Sequence, residues 1–244
     1  MARIDLRDCT IRLKDGLTGT CNIAEASPGA NDTDVDVNTT VLVGPTDTDL
    51  IPVGARFTVT GIDTVFTVSA RTPAGAGPTT NITFTPAWGA VNTPSQNDTI
   101  TFQAQRLDIT IGEGNLTYTE AKEYEYLKNR GVLDTVREGE DQPLDVSLEF
   151  AYEFVTTGTS EAITPVDAVK QINGAAEWVS ASSDLCEPYC VDIEIDRSLS
   201  CGSTEDETTT LADFRYESLE YSLQDATISV SGKCNITDAT VTRS

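Results

Sequence analysis

The sequence predicts a mainly β protein of antiparallel sheets, with one short flanking helix and a small all-β module set apart from the rest. Three observations carry this. Leu144, Val146, Leu148, Phe150, Tyr152 and Phe154 alternate with Asp145, Ser147, Glu149, Ala151 and Glu153, the period of two expected of a half-buried strand. Several short runs rich in Val, Ile, Thr and Phe lie between residues 35 and 103, divided by Gly and Pro. Thr164-Pro165 ahead of Val166, Val169 and Ile172 is a helix start, with Thr as N-cap, Pro at the first position and apolar residues at helical spacing.

The elements follow in chain order. Residues 3–13 read as one strand with Ile4, Leu6, Ile11 and Leu13, stopped by the turn pair Asp15-Gly16. After Cys21 the texture changes to small and turn-forming residues, which places a module boundary there. Strands are expected over 35–43, 56–60, 64–69, 82–85 and 99–103, separated by Gly44-Pro45, Pro52-Val53-Gly54, Gly61 and the Pro/Gly-rich 73–78. That spacing is the one of a small barrel or sandwich. Phe57, Val59, Phe66, Val68, Ile82, Phe84, Ile100 and Phe102 alternate well enough to give it a core of its own.

From Gln105 the first pattern resumes with Leu107, Ile109 and Ile111, then Leu116 and Tyr118. A long charged connection over 120–142 comes next. Arg130-Gly131 and Glu138-Gly139-Glu140-Asp141 supply its turn chemistry, and Pro143 sits just before the following strand, where a missing N–H is tolerated. Within it, 119–128 suits a strand by its tyrosines and a helix by its Glu/Lys spacing, so both readings stay open. The helix at Pro165 is expected to end at Gly174 or Ser180. Val191, Ile193 and Ile195 alternate with Asp192, Glu194 and Asp196; Leu219, Tyr221 and Leu223 alternate with Glu220 and Ser222; Ile228 and Val230 close the chain.

Composition excludes several function classes. The 244 residues carry a formal net charge of −23. Acid exceeds base everywhere except residues 1–21, where Arg3, Arg7, Arg12 and Lys14 face Asp5, Asp8 and Asp15. A protein that grips DNA clusters Lys and Arg against phosphates, and this one does the opposite. The chain has no histidine, which removes the commonest general base and metal ligand together. Asp192, Glu194 and Asp196 read as the solvated face of a strand rather than a glycosidase pair. Gly112-Glu113-Gly114 lacks a third glycine and puts an acid where a phosphate would sit. No catalytic or cofactor-binding residue is assigned, and an enzyme is not expected.

Metal sites fare little better. Asp32, Asp34, Asp36 and Asn38 alternate like calcium ligands, but an EF-hand loop begun at Asp32 would need glycine and a bidentate acid where Val37 and Val43 stand. A strand with an acidic outer edge, which discourages edge-to-edge pairing, fits the same residues. Cys9, Cys21, Cys186, Cys190, Cys201 and Cys234 lack paired C-x2-C spacing, so no zinc site is assigned. Reduced cysteines are one expectation; a disulfide spanning Cys186 and Cys201, or Cys9 and Cys21, is the other. Six N-x-S/T matches, at Asn31, Asn38, Asn81, Asn97, Asn115 and Asn235, follow from Asn- and Thr-rich composition. No apolar run approaches the roughly 20 residues of a membrane span, and the charged N-terminus does not read as a signal peptide, so folding in cytoplasm is expected.

One resemblance sharpens this reading. Tyr124-Glu125-Tyr126-Leu127 through Arg130-Gly131, then Leu133-Asp134-Thr135-Val136-Arg137-Glu138-Gly139 and the strand after Pro143, resemble the core of the major tail tube proteins of long-tailed bacteriophages. Thr227-Ile228-Ser229-Val230-Ser231-Gly232-Lys233-Cys234-Asn235 agrees with it. The resemblance covers residues 1–21 and 105–244 as a discontinuous domain of antiparallel β-sandwich/barrel tail-tube fold, and implies that 22–104 is an inserted small β-barrel or sandwich domain on the tube exterior. It implies a structural virion protein, assembled in host cytoplasm, whose hexameric rings stack into a hollow tail tube. Its expected partners are copies of itself, a tape-measure protein in the lumen, and tail-terminator and tail-tip proteins, with DNA passing through unbound and no membrane insertion. The connection over 120–142 is expected to reach a neighbouring subunit. Asp145, Glu149, Glu153, Asp192, Glu194 and Asp196 are the candidates for an acidic bore. A capsid-decorating or adhesive virion protein is the alternative, and a secreted surface-layer or calcium-dependent adhesion module a third reading.

Overall fold

In the computed structural model the described residues are 9–38, 42–43, 51–72, 79–89, 93–109, 115–151, 155–156, 162–182, 184, 186–198 and 206–243. Strands run as β1 (Cys9–Lys14), β2 (Thr18–Ile23), β3 (Asp34–Asn38), β4 (Leu42–Val43), β5 (Arg56–Val59), β6 (Ile62–Thr72), β7 (Thr79–Thr85), β8 (Thr99–Gln103), β9 (Arg106–Ile109) and β10 (Leu116–Thr119). They continue as β11 (Lys122–Asn129), β12 (Val132–Asp141), β13 (Leu144–Ala151), β14 (Val155–Thr156), β15 (Ala162–Ile163), β16 (Val191–Ser198), β17 (Asp206–Ser222), β18 (Thr227–Cys234) and β19 (Thr240–Arg243). One helix, α1 (Pro165–Lys170), and a 3₁₀ turn at Asn173–Ala175 lie between β15 and β16. Among the described residues the protein is mainly β, with antiparallel sheets, a closed six-stranded barrel and one short helix. Among the described residues no helix is long and apolar enough to cross a membrane.

The chain divides into two compact units. The first comprises Met1–Arg12, Asp108–Glu153 and Asp192–Ser244; the second comprises Leu13–Leu107 and Phe154–Val191. The second unit thus takes in the helical segment as well as the β-rich stretch after Cys21.

In the second unit the strands follow the order β3, β7, β6, β5, β8, β2, and β2 returns to β3 through Asn22↔Asn38 and Ile23↔Val37, closing the ring. β4 pairs with β2 outside that ring. Strand β2 begins at Thr18, so the barrel runs across the expected junction at residues 21 and 22. Closure narrows the expected acidic edge at β3: Asp34 and Asp36 are exposed, but β3 is bonded along one side to β7 and, at Val37 and Asn38, to β2 on the other. Val35 and Val37 alternate inward as the pattern required.

The barrel interior is aromatic. The Phe57 ring lies 5.4 Å from Phe66, 5.7 Å from Phe84, 5.9 Å from Phe102 and 6.4 Å from Trp88. All five are buried. Edge-on and tilted arrangements at such distances add about 0.5–1.5 kcal/mol per pair beyond area burial.

Beside the barrel, Thr164 caps α1: its hydroxyl accepts from the Asp167 N–H, and the Asp167 carboxylate accepts from the Thr164 N–H, a complete capping box. The helix stops earlier than expected. Gln171 adopts φ 54 and caps it, so Val166 and Val169 are buried while Ile172, expected on the same stripe, leaves the helix and stands exposed.

A buried acid ties this unit together. Asp15 is 1% exposed; its Oδ1 accepts from the N–H groups of Leu17 (3.2 Å) and Gln105 (2.6 Å), and its Oδ2 from that of Val179 (3.3 Å). Three separate segments are thereby joined. Burial pushes the carboxyl up to about 7, against the pull of those backbone donors and the charge of Lys14. Burial likewise lifts the Tyr189 hydroxyl far above its usual range, with the charge of Asp15 adding to it.

In the first unit an eight-stranded antiparallel sheet runs β10, β13, β18, β17, β16, β1, β9, with β19 added on β17. Its inner face carries Leu144, Val146, Leu148 and Phe150 from β13 and Ile228 and Val230 from β18, all buried. Asp145, Ser147 and Glu149 point the other way and are exposed.

Replacing Phe57 with Ala should cost about 3–5 kcal/mol, because a large ring is removed from a closed core that cannot collapse around the void. Chemical denaturation followed by fluorescence of the Trp residues measures it. For Asp15 the folded pKa exceeds the unfolded one, so its contribution is fully present below the unfolded value and is lost as pH rises through about 7. Asp15→Asn should therefore flatten the fall in stability between about pH 4 and 7, read from melting temperature against pH.

Candidate functional site

The connection over 120–142 forms a two-stranded antiparallel ribbon, β11 against β12, that pairs with no other strand among the described residues. Strand wins over helix at 122–129 because cross-strand partners are supplied by β12. Its register runs from Lys122↔Asp141 to Asn129↔Val132. The two-residue loop Arg130-Gly131 has φ 51 and φ 87, the left-handed pair that matches the twist of a tight hairpin; glycine is needed at the second position for that reason. At about 3.4 Å per residue the ten residues of β12 extend roughly 30 Å.

Exposure sets this ribbon apart. Every residue of β12 is exposed, and in β11 all but Leu127 are. One face nevertheless gathers most of the exposed apolar side chains. Tyr124 and Tyr126 stand two apart on β11, Tyr126 opposite Val136, and Leu133 opposite Lys128; these four apolar residues are between 48% and 63% exposed. Opposite residues in an antiparallel pair share a face, so Tyr124, Tyr126, Val136 and Leu133 form one stripe, with Lys128 and Glu138, the latter opposite Tyr124, beside it. The other face carries the Glu125↔Arg137 pair. The base is held to the first unit: Glu120 Oε1 accepts from the Ala239 N–H at 2.9 Å, and Lys122 Nζ lies 3.4 Å from Asp238.

The candidates for an acidic bore divide. Asp145 and Glu149 are exposed, with Lys233 Nζ 3.5 Å from Asp145. The expected open row on β16 is not open. Glu194 is 7% exposed, Asp192 accepts from the Asp213 N–H at 3.0 Å, and Asp196 accepts from Thr208 and pairs with Arg12. Arg12 also pairs with Asp108 at 2.7 Å. Its pKa is raised; burial opposes this, but the Asp108 hydrogen bond and the charges of Asp196, Asp108 and Glu194 outweigh it. The physical reason is position: β16 lies inside the sheet, between β17 and β1, where neighbouring strands supply partners. Glu153, Tyr152, Phe154, Cys201 and residues 112–114 lie outside the described residues.

The other singled-out groups are placed as follows. Asn81 donates to Asp34 at 3.3 Å and to Asp36 at 3.0 Å, and Asp32 accepts from the Gly29 N–H, so this acidic row is held by protein groups. Among the described residues no group of three or more Asp, Glu or Cys is arranged to hold a metal ion. Cys21 and Cys186 are free thiols, which removes both the Cys9 to Cys21 and the Cys186 to Cys201 disulfide. Burial pushes the Cys21 thiol up to about 12, as befits a small core side chain. Tyr221 and Leu223, whose alternation reads as a half-buried strand, are exposed, and so is Tyr216. Comparison with known proteins gives no match: no family model, no curated protein and no solved structure is significantly similar to the chain.

A two-stranded ribbon is marginal in water by itself, so its backbone amides should exchange with deuterium within seconds in the single chain, while those of β13 and β18 stay protected. Hydrogen exchange read by mass spectrometry decides this, and ribbon amides as slow as those of β13 would count against an unsupported ribbon.

Proposed function

We propose that this chain is a structural subunit that polymerises into a hollow tube, as the major tail tube proteins it resembles do, and that the ribbon is the arm linking one copy to the next. The observation that carries the reading is the ribbon's exposed apolar stripe. A ribbon some 30 Å long that leaves Tyr124, Tyr126, Leu133 and Val136 in water gains most of its stability from what it docks on. Catalysis has no comparable support: the chain lacks histidine, and Asp15, the acid whose pKa burial raises to about 7, is sealed among backbone donors.

The assembled form follows the resemblance: rings of six stacked into a virion tail, around a tape-measure protein, closed off by terminator and tip proteins, through which DNA passes. The charge of −23 suits a conduit that repels phosphate rather than holding it. Screening over about 8 Å restricts that effect to acids at the bore, and Asp145 and Glu149 are the exposed candidates. The barrel is then an accessory module, placed outward where an added domain costs the ring least.

Negative-stain electron microscopy of the purified protein should show rings or tubes with a central hole. Tyr124→Ser combined with Tyr126→Ser should leave single chains, judged by sedimentation. Compact trimers without a bore in the wild type would instead favour the decorating reading.

A further inference from the structure

The sheet of the first unit offers a seat for that arm. Its inner face can be followed in rows across three strands: Val146 to Gly232 to Tyr216, Leu148 to Val230 to Leu219, and Phe150 to Ile228 to Tyr221. On β13 and β18 these positions are buried. On β17 they are not: Tyr216 and Tyr221 are 40% and 47% exposed, Leu219 is half-buried, and Leu223 just beyond is 93% exposed. The cover runs out along β17 itself, because Phe214, in the row of Leu144 and Cys234, is still buried.

A backbone irregularity gathers the strip. The register shifts between Tyr216 and Ser218, an extra residue that restores Leu219 and Tyr221 to the face of Tyr216; strict alternation would have put them on opposite faces. Gly232 makes room for it, since a Cβ there would stand 2.0 Å from the Arg215 carbonyl oxygen.

We propose that the apolar stripe of the ribbon, Tyr124, Tyr126, Val136 and Leu133, seats on the strip of Tyr216, Leu219 and Tyr221 in a second copy of this chain. The inference rests on the assembly reading above and names its two surfaces. Both surfaces are exposed in the single chain, so neither covers the other within it. Both are tyrosine-bearing, the composition that dominates protein interfaces. Their charges complement each other: Glu217 and Asp225 flank the strip, while Glu220 lies on the other face of β17, and the ribbon end, 127–135, holds Lys128 and Arg130 against Asp134. In a chain of net charge −23, a basic tip meeting a strip flanked by Glu217 and Asp225 favours this encounter over tip-to-tip contact. Because the surfaces differ, the contact is head to tail, and each bound copy presents a new seat.

The test uses the full chain in two variants, Tyr124→Ser/Tyr126→Ser and Tyr216→Ser/Tyr221→Ser, with circular dichroism confirming that each is folded. Each alone should lose pelletable polymer and sediment as a single chain of 26.2 kDa. Mixed in equal amounts they should form a species of twice that mass and no larger, since one intact arm and one intact seat remain per pair. Polymer formed by the strip variant alone, with the ribbon variant still single, overturns this seat and leaves the assembly reading standing. Wild-type protein that never assembles overturns both. If the strip variant does not fold, Glu217→Lys/Asp225→Lys and Lys128→Glu/Arg130→Glu replace the pair: each set alone should lose polymer and both sets in one chain should restore it, and absence of restoration overturns the seat.

Discussion

Every β-sheet has two faces and, unless it closes, two edges, and each must be covered, paired or made tolerable to water. The barrel meets this demand within the chain. Asn22 and Ile23 of β2 bond to β3, the ring closes, and the aromatic cluster around Phe57 fills it. The sheet of the first unit meets it in part, covering β13 and β18 and leaving the end of β17 open. The ribbon does not meet it at all. What the chain does in company follows from where its own covering runs out.

The parts of this arrangement differ in how far they can be read from residues. Alternation over 144–150, the aromatic positions of the barrel and the Thr164 cap are local signals, and local signals survive into the fold because the side chains concerned choose their own face or partner. The end of α1 is less local: no glycine stands at Gln171, yet the chain turns left-handed there, three residues before Gly174. Asp196 illustrates the limit. Its alternation with Ile195 describes it correctly as outward, but its partner Arg12 lies 184 residues away, and no spacing rule reaches that far. Tyr216 is hidden for a different reason, since the register shift after it puts it on one face with Leu219 and Tyr221, out of step with simple alternation.

Exposure is the property least legible of all. Tyr124 and Tyr221 sit in similar alternating contexts to Phe150, and nothing in their own neighbourhoods separates a covered face from a bare one. Cover is supplied by another element, so it is a property of the whole fold. For that reason the functional surface and the core have the same signature in the sequence of a β protein, whereas a catalytic site announces itself by residue type.

The acidity of the chain bears on assembly as well as on DNA. Copies with charge −23 repel one another, and that repulsion is screened beyond about 8 Å in physiological salt. Contact must therefore be made by a surface that escapes the general excess. On the acidic sheet face, escape comes from pairing within the chain: Lys233 beside Asp145, and Arg12 between Asp108 and Asp196. On the ribbon it comes from interleaving, with Lys128, Arg130 and Arg137 placed among its acids and an apolar stripe between them. Moderate salt should then favour assembly by weakening the general repulsion more than it weakens a largely apolar contact. Such a dependence has the opposite sign from that of a protein held together by surface ion pairs, and it follows from the distribution of charge rather than from its total.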